Sequence, residues 1–322
     1  MSPLRVAKGQ ALGNDYLVID AGELRAALGG AAESGRVGDA NPRSGAGDHG
    51  GMSVDLARAL CDRHTGLGSD GVLVAWTDRR PFGLRIWNPD GTGAEKSGNG
   101  LRIFCAWLHG RGLVGSDPFD VALPKDSVTV RVLGKAGAGA LDIEVDMGAA
   151  DFRGGSVGFE TRVGAVDDEP LDLGDAGSAL INTVSLGNPH CVVLIDAFER
   201  VDFEARGPAL AVHRAFREGT NVQFARPVDR HTAEAWIWER GAGETLASGS
   251  SACAVAATLV RKGMLDPGSV RVRMPGGEVR VDVDGSFRLR LRGPAQLVYD
   301  AEVPGAVLAG WLVRRDPASG GA

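Results

Sequence analysis

Two segments of this chain repeat one pattern, and together they decide its fold. The first reads WNPDGTGAEKSGNGLRIFCAWL at residues 87–108, and the second reads WERGAGETLASGSSACAVAATL at residues 238–259. In both, a Trp ends an apolar strand, a Gly-rich loop follows, and a Ser-Gly pair begins an apolar helix. The offset between the copies is 151 residues at the Trp and again at the Ser. This constant offset predicts an internal duplication.

A second pair of segments extends the repeat toward the N-terminus. Residues 13–20 (GNDYLVID) resemble residues 187–196 (GNPHCVVLID), at an offset of 174. The excess of 23 over the first offset equals the length of a stretch at 29–51 that holds eight Gly. This stretch lacks apolar periodicity, which is typical of a loop or a disordered insertion. The simplest account is a duplicated domain whose first copy gained the insertion.

Length, charge and cysteine usage exclude several classes of protein. A chain of 322 residues has room for two domains of about 150 residues. Its net charge of -6 opposes general nucleic-acid binding, and its longest apolar stretch is too short for a membrane span. No apolar signal region follows the first Met, and the four Cys lack CxxC spacing, so we predict a cytoplasmic protein. The six His show no paired ligand spacing, so we predict no metal site.

The two Ser-Gly pairs predict a ligand site. The first amides of a helix lack intrahelical partners and carry partial positive charge, so they can hold a carboxylate. Gly98 and Gly249 would let the backbone approach a ligand closely. Taken singly, Ser97 and Ser248 are typical N-caps. As a matched pair in a duplicated chain, they favour a cleft between the copies, where equivalent residues face one molecule from opposite sides.

The motifs around these helix starts resemble those of the diaminopimelate epimerase family. The resemblance runs from about Val6 to about Leu312 and omits the 29–51 stretch and the tail at 317–322. We expect the tail to be frayed. It implies that the protein inverts one α-carbon of an amino dicarboxylate without pyridoxal phosphate or metal, and that it forms a homodimer. The motifs occur in the family's order at residues 8–20, 61–71, 88–102, 187–191, 219–222 and 239–253.

The resemblance also implies a fold and a set of site residues. The expected fold is α+β, with two pseudo-symmetric domains that are each a curled, mostly antiparallel sheet around a central helix. We expect residues 1–147 plus 297–322 in the N-terminal domain, with 29–51 as its insertion, and residues 148–296 in the C-terminal domain. Ser97 and Ser248 occupy the catalytic positions. The positions that match the family's substrate contacts are Asn14, Asn88, Gly98, Asn99, Asn188, His190, Asn221, Glu239, Arg240, Gly249 and Ser250.

One departure from the family concerns the chemistry itself. The family has Cys where this chain has Ser97 and Ser248, and those two thiols are its acid–base pair. A thiol titrates near pH 8.5, whereas a Ser hydroxyl is a much weaker acid and needs a neighbouring base. We consider Lys96, His190, Glu239 and Glu244 as candidates for that base, and we expect Lys96 to be a solvated loop charge.

Four accounts of the Ser pair stay open at this point. Both Cys could have been replaced deliberately, or the chain could represent a natural Ser/Ser branch with weak or altered epimerase activity. The scaffold could instead serve another isomerase or a lyase acting on a related carboxylate, or it could bind an amino acid without catalysis. Lys96 and the Ser250-Ser251 pair are further departures that a deliberate Cys-to-Ser change would not require. We therefore favour the natural branch.

Overall fold

The computed structural model describes residues 1–29, 49–159 and 164–313. Most of the expected insertion (30–48) and the expected frayed tail (317–322) lie outside these residues. The described helices are α1 (Ala21–Ala27), α2 (Val54–Cys61), α3 (Gly98–Gly110), α4 (Arg200–Ala211), α5 (Gly249–Arg261) and α6 (Gly305–Val313), with 3-10 turns at Gly154–Val157 and Gly174–Ala176. None of these described helices has the length and apolar character needed to cross a bilayer.

The described strands form one continuous hydrogen-bonded network that contains both copies of the repeat. In chain order they are β1 (Leu4–Ala11), β2 (Asn14–Asp20), β3 (Val72–Trp76), β4 (Phe82–Trp87), β5 (Gly93–Ala94), β6 (Phe119–Ala122), β7 (Ser127–Gly137), β8 (Ala140–Ala149), β9 (Glu169–Asp172), β10 (Ser178–Ser185), β11 (Pro189–Leu194), β12 (Asn221–Asp229), β13 (Thr232–Glu239), β14 (Gly243–Thr245), β15 (Gly268–Met274), β16 (Gly277–Val283) and β17 (Arg288–Val303).

Strand pairing repeats in the same order in the two halves. β1 pairs antiparallel with β2, β2 parallel with β3 and β3 antiparallel with β4, and β10 to β13 follow the same sequence. β4 then pairs parallel with β6, as β13 does with β15. The antiparallel hairpins β6–β7–β8 correspond in turn to β15–β16–β17. The expected α+β fold with two pseudo-symmetric domains is confirmed.

Helices α3 and α5 are the central helices of the two halves. Every residue from Gly98 to Leu108 is buried, and so is every residue from Gly249 to Leu259. A helix that is covered on all sides needs mostly apolar and small residues, which both segments supply. The exception is Arg102 of α3, which is fully buried and donates to the carbonyls of Gly98 and Pro294. One apolar cluster contains residues of both helices, so the two halves share part of their core.

Strand β17 connects the halves. Its first part pairs with β16 and β8, and its second part, from Gln296 onward, pairs with β1. The chain therefore returns to the N-terminal half after completing the second repeat. The domain boundaries at 147/148 and 296/297 stay a prediction, and the second of them falls inside this continuous strand.

The C-terminal end of the predicted insertion is packed against the N-terminal half. The ring of His49 lies 5.5 Å from that of Trp87, and a Cβ on Gly50 would come within 2.7 Å of Val74. Gly50 and Gly51 both have positive φ angles, at 66° and 88°, which glycine adopts without strain. Residues 49–51 form no helix or strand, as expected of a loop, but they are ordered against β3 and α1 rather than disordered.

The first turns of α3 and α5 touch each other through glycine. A Cβ on Gly98 would lie 3.1 Å from the Cα of Gly249, and a Cβ on Gly249 would lie 3.0 Å from the Cα of Gly98. Each would also come within 2.7 Å of the same Leu291 methyl group. The near-identical surroundings of the two glycines are what a pseudo-twofold relation predicts.

We expect Gly249→Ala to destabilise the protein by about 1–3 kcal/mol, because the added methyl group must push two helix starts apart in a packed core. The free energy of unfolding in urea checks this. Gly310→Ala is the matched control, since Gly310 is also helical but has nothing within 4 Å of its Cβ position. If both variants have the same stability, the contact between the helix starts is not a constraint.

Candidate active site

A cleft of about 820 Å³ opens at the contact between the two helix starts. Both Ser97 and Ser248 line it, so the structure brings the two predicted catalytic positions to one site. Gly98 and Asn99 of α3 and Ser250 of α5 line the part of the cleft that we call its floor, and the free amides of such helix starts favour an anionic group. The predicted binding residues that also line the cleft are Asn14, Asn88, Gly98, Asn99, Asn188, Asn221, Glu239, Arg240 and Ser250.

Two of the predicted binding residues do not line the cleft. Gly249 packs against Gly98 below the floor. His190 is fully buried, and its Nε2 lies 3.0 Å from the Oδ1 of Asn188 while Gln223 hydrogen-bonds to its Nδ1. The imidazole thus lies behind Asn188 and holds that side chain in place. The binding roles inferred from the family stay predictions for all eleven positions.

Ser97 is the N-cap of α3. Its Oγ accepts the backbone N–H of Gly100 at 3.0 Å, which satisfies one of the free amides of the first turn. The hydroxyl group of Tyr16 lies 3.3 Å from the same Oγ. Tyr16 lines the cleft and is almost fully buried, and burial raises the pKa of its phenol.

Ser248 has a different chemical environment. It stands at the N-cap of α5 but makes no side-chain capping bond. The carboxyl group of Glu239, at the end of β13, lies beside its hydroxyl in the same cleft. Burial raises the pKa of Glu239, and the Ser248 hydroxyl partly offsets that rise. Glu239 is therefore a proton acceptor of increased basicity in contact with Ser248.

The other candidate bases are engaged elsewhere. Glu244 forms a bidentate pair with Arg200, at 2.7 and 2.6 Å, which lowers the pKa of its carboxyl group. Lys96 donates to the carbonyl of Met147 and pairs with Asp126 at 3.2 Å. The Lys96 side chain is 6% exposed, so the expectation of a solvated charge is wrong: its ammonium reaches back to β8 and the β6–β7 turn.

Histidine 190 is uncharged in the folded protein. Burial lowers the pKa of His190 to about 3, whereas an unfolded histidine titrates near 6.5. As the pH falls below about 6.5, the unfolded chain gains a proton that the folded chain does not, so stability is lost between these two values.

The free energies of unfolding of the unmodified protein and of the His190→Gln variant are to be compared as the pH is lowered from about 6 to about 4. Over this range we expect the unmodified protein to lose about 1.4 kcal/mol per pH unit more than the His190→Gln variant. The measurement is urea unfolding of both proteins across this pH range. Parallel pH profiles would contradict the assignment of a buried, neutral His190.

A polar network holds the asparagines of the cleft in place. Asn14 donates to Asp70 at 2.9 Å and accepts from Asn99 at 3.2 Å. Asn99 also donates to the carbonyl of Ala247 at 2.9 Å, which links the first turn of α3 to the loop before α5. On the opposite wall, Asn221 accepts the backbone N–H of Arg240 at 3.0 Å. These bonds fix amide side chains that can each bind a polar ligand group.

Two residues of the site were missed at the sequence level. Tyr16 and Asp70 line the cleft, and burial raises the pKa of Asp70. The repeat contained the signal, because Tyr16 occupies the position of His190 in the other copy. Likewise Glu239 corresponds to Asn88, so the duplicated site is chemically asymmetric.

Within the described ranges, no three His, Cys, Asp or Glu side chains come together in a way that could hold a metal ion. The polar groups of the residues that line the cleft are hydroxyls, amides, carboxyls, guanidinium groups and the ammonium group of Lys96. These groups recognise carboxylates and ammonium groups by hydrogen bonds and charge.

Comparison with known proteins gives a consistent result. The family model described as diaminopimelate epimerase matches residues 46–153 and 182–298. Diaminopimelate epimerase 2 of Nostoc sp. is 34% identical over 310 residues, which cover 95% of this chain and 98% of the relative.

Solved structures with low sequence identity share the fold. A probable proline racemase from Agrobacterium radiobacter, with bound carbonate, aligns with a TM-score of 0.68 at 13% identity and covers 98% of this chain and 94% of its own. A hydroxyproline epimerase from Agrobacterium vitis, with bound trans-4-hydroxy-L-proline, aligns with a TM-score of 0.67 at 14% identity. The alignment covers 94% of this chain and 93% of the epimerase chain.

Proposed function

Because this chain belongs to the diaminopimelate epimerase family, we propose that it transfers a proton at the carbon next to a carboxylate bound between α3 and α5. The observation that carries the proposal is the position of Ser97 and Ser248 on two touching helix starts in one cleft. A carboxylate at the free amides would present its α-carbon between the two hydroxyls. The reaction class is thus a cofactor-independent epimerisation.

We propose an amino dicarboxylate, with diaminopimelate as the family's example, or a related carboxylate as the substrate. Arg240 supplies a guanidinium group suited to a carboxylate, and the amides of Asn14, Asn188 and Asn221 supply further hydrogen bonds. By the same relationship we expect a homodimer in the cytoplasm, and sedimentation of the purified protein tests the dimer.

Glu239 is the base that the proposed reaction uses. It accepts the Ser248 proton while the Ser248 oxygen takes the proton of the α-carbon. A general base contributes about 10²–10⁴-fold to such a step, and a raised pKa increases its strength. The opposite face presents Ser97, which returns a proton to complete the inversion.

The unequal faces also favour a second candidate, a one-sided isomerase on a related unsaturated carboxylate. Glu239 alone could remove a proton from one carbon and return it to another on the same face of the ligand. The observation behind this candidate is the carboxyl group beside Ser248, where Ser97 has a phenol instead. A non-catalytic binder would need neither group.

Incubation with LL- and meso-diaminopimelate in deuterated water tests the proposal. We expect deuterium at the α-carbon and slow interconversion of the two isomers. The variant with both Ser97→Ala and Ser248→Ala is the control, and it should bind the ligands without labelling them. Binding by the unmodified protein without label would leave the binder as the better account. Label without interconversion would favour the one-sided isomerase.

A further inference from the structure

The hydrogen bonds of Ser97 limit what its hydroxyl can do. A serine hydroxyl has one proton to donate and two positions at which it can accept. Its Oγ accepts the N–H of Gly100, and the Tyr16 hydroxyl is within hydrogen-bonding distance of the same atom. Whether Ser97 can donate a proton into the cleft therefore depends on which of the two hydroxyls donates to the other.

The environment of Tyr16 decides this direction. Its side chain is 7% exposed, and burial raises the pKa of the phenol, so the phenol keeps its proton at neutral pH. In the part of the chain that the structure describes, Ser97 is the one hydrogen-bond partner of this hydroxyl. A buried hydroxyl that lacks an acceptor is costly, so Tyr16 donates to Ser97. Both acceptor positions of Ser97 are then filled, and its own proton is directed to the cleft.

Ser248 is arranged in the opposite sense. It has no capping bond, and the carboxyl group of Glu239 lies beside its hydroxyl in the cleft. When Glu239 is ionised, its carboxylate can only accept, so the Ser248 proton is directed to Glu239. The acceptor positions of Ser248 remain available to the ligand. One serine is thus set to donate a proton, and the other to accept one.

We propose that Tyr16 is a positioning residue that makes Ser97 the proton donor of the site, so that the substrate loses its proton on the Ser248 face and receives one on the Ser97 face. The inference rests on the proposed function and goes beyond it by giving the reaction a preferred stereochemical direction. The geometry of Tyr16, Ser97 and Gly100 carries it, together with the different partner of Ser248.

The proton transfers balance without a further reactant. The α-proton passes to Ser248 while the Ser248 proton passes to Glu239. Ser97 gives its proton to the carbanion from the other side and becomes an alkoxide, which the Tyr16 hydroxyl and the Gly100 amide stabilise by hydrogen bonds. Glu239 is then neutral. Water carries the proton of Glu239 to Ser97 and restores the starting state.

Tyr16→Phe tests the inference, because it removes the hydroxyl and keeps the ring. We expect the rate of labelling with inversion to fall about tenfold in deuterated water, which is the loss of one hydrogen bond to a reacting group. KM and labelling with retention, which needs only the Ser248 face, should not change. Tyr299→Phe is the matched control, since Tyr299 is the chain's other tyrosine and is exposed; it should leave both rates unchanged.

Several outcomes would overturn the inference. If Tyr16→Phe lowers both rates equally, its role is structural, and if it changes neither rate, the hydroxyl has no role. No label with the unmodified protein would overturn the proposed function as well, whereas label that Tyr16→Phe leaves unaltered overturns this inference alone.

A double-mutant cycle of Tyr16→Phe and Ser97→Ala gives a readout that does not depend on activity. We expect the two changes to be coupled by about fivefold in the unfolding equilibrium constant, as a buried hydrogen bond requires. Additive effects on that constant would show that no hydrogen bond exists and would overturn the inference.

Discussion

Replacing Ser97 and Ser248 together by Cys should raise the rate of α-carbon inversion by at least about a hundredfold, since a well-placed base contributes about 10²–10⁴-fold. A thiol titrates near pH 8.5, and a helix N-terminus lowers that value further. Both positions begin helices at the floor of the cleft, so the new thiols would stand beside the carboxylate that the amides hold. Chiral chromatography of diaminopimelate isomers measures the rate.

The single variants and one control sharpen this test. Inversion needs a group on each face, so the double variant should gain more than the product of the gains of Ser97→Cys and Ser248→Cys. Ser53→Cys makes the same change at the N-cap of α2, outside the cleft, and should gain nothing. A double variant that binds diaminopimelate without inverting it would show that the scaffold now serves another reaction. One that fails to bind would show that the pocket itself has changed.

Glu239→Gln should slow labelling of the α-carbon by about 10²–10⁴-fold, the usual contribution of a general base. Glutamine keeps the shape of the side chain and can still hydrogen-bond to Ser248, but it cannot accept the proton. We therefore expect kcat to fall much more than KM changes. Rates of deuterium incorporation at several ligand concentrations separate these two effects.

The matched control is Glu244→Gln, a carboxyl group that also lines the cleft but is held by Arg200. It should change the labelling rate by less than threefold, because its carboxylate is not free to act as a base. Equal loss in the two variants would indicate that overall cleft charge, rather than a base at Glu239, supports the reaction. If Glu239→Gln kept full activity, Glu239 would not be the base that accepts the proton of Ser248.

The sequence predicted the large-scale plan because the duplication is visible as a constant offset. Ser97 and Ser248 begin their helices as predicted, and the pairing order of the strands repeats. Helix α4 was missed, since Pro208 stands inside it and its buried face, although helically spaced, holds only two large apolar residues, Phe203 and Leu210. Helix α1 was missed because only seven residues follow its N-cap at Asp20.

The site was predictable in position but not in hydrogen bonding. The motifs placed most of the predicted binding residues on one cleft, because each motif lies where a strand begins or ends or where a helix begins. The hydrogen-bond partners of the side chains in the site depend on the register of the sheet and on the packing of β2 against α3. For that reason the sequence could not show that the Tyr16 hydroxyl meets Ser97, that Lys96 pairs with Asp126, or that His190 lies behind Asn188.

The contact between Gly98 and Gly249 sets a lower limit on the separation of the two helix starts. Backbone lies against backbone there, so the helix starts cannot move closer together without a clash. The smallest separation of Ser97 and Ser248, which stand at the N-caps of these helices, is therefore set by two glycines. The loops at 88–96 and 240–247, which carry Glu95 and Glu244, line the same cleft. We therefore expect changes in these loops to alter the length of ligand that fits, while the glycine contact limits the width of the site at the reacting carbon.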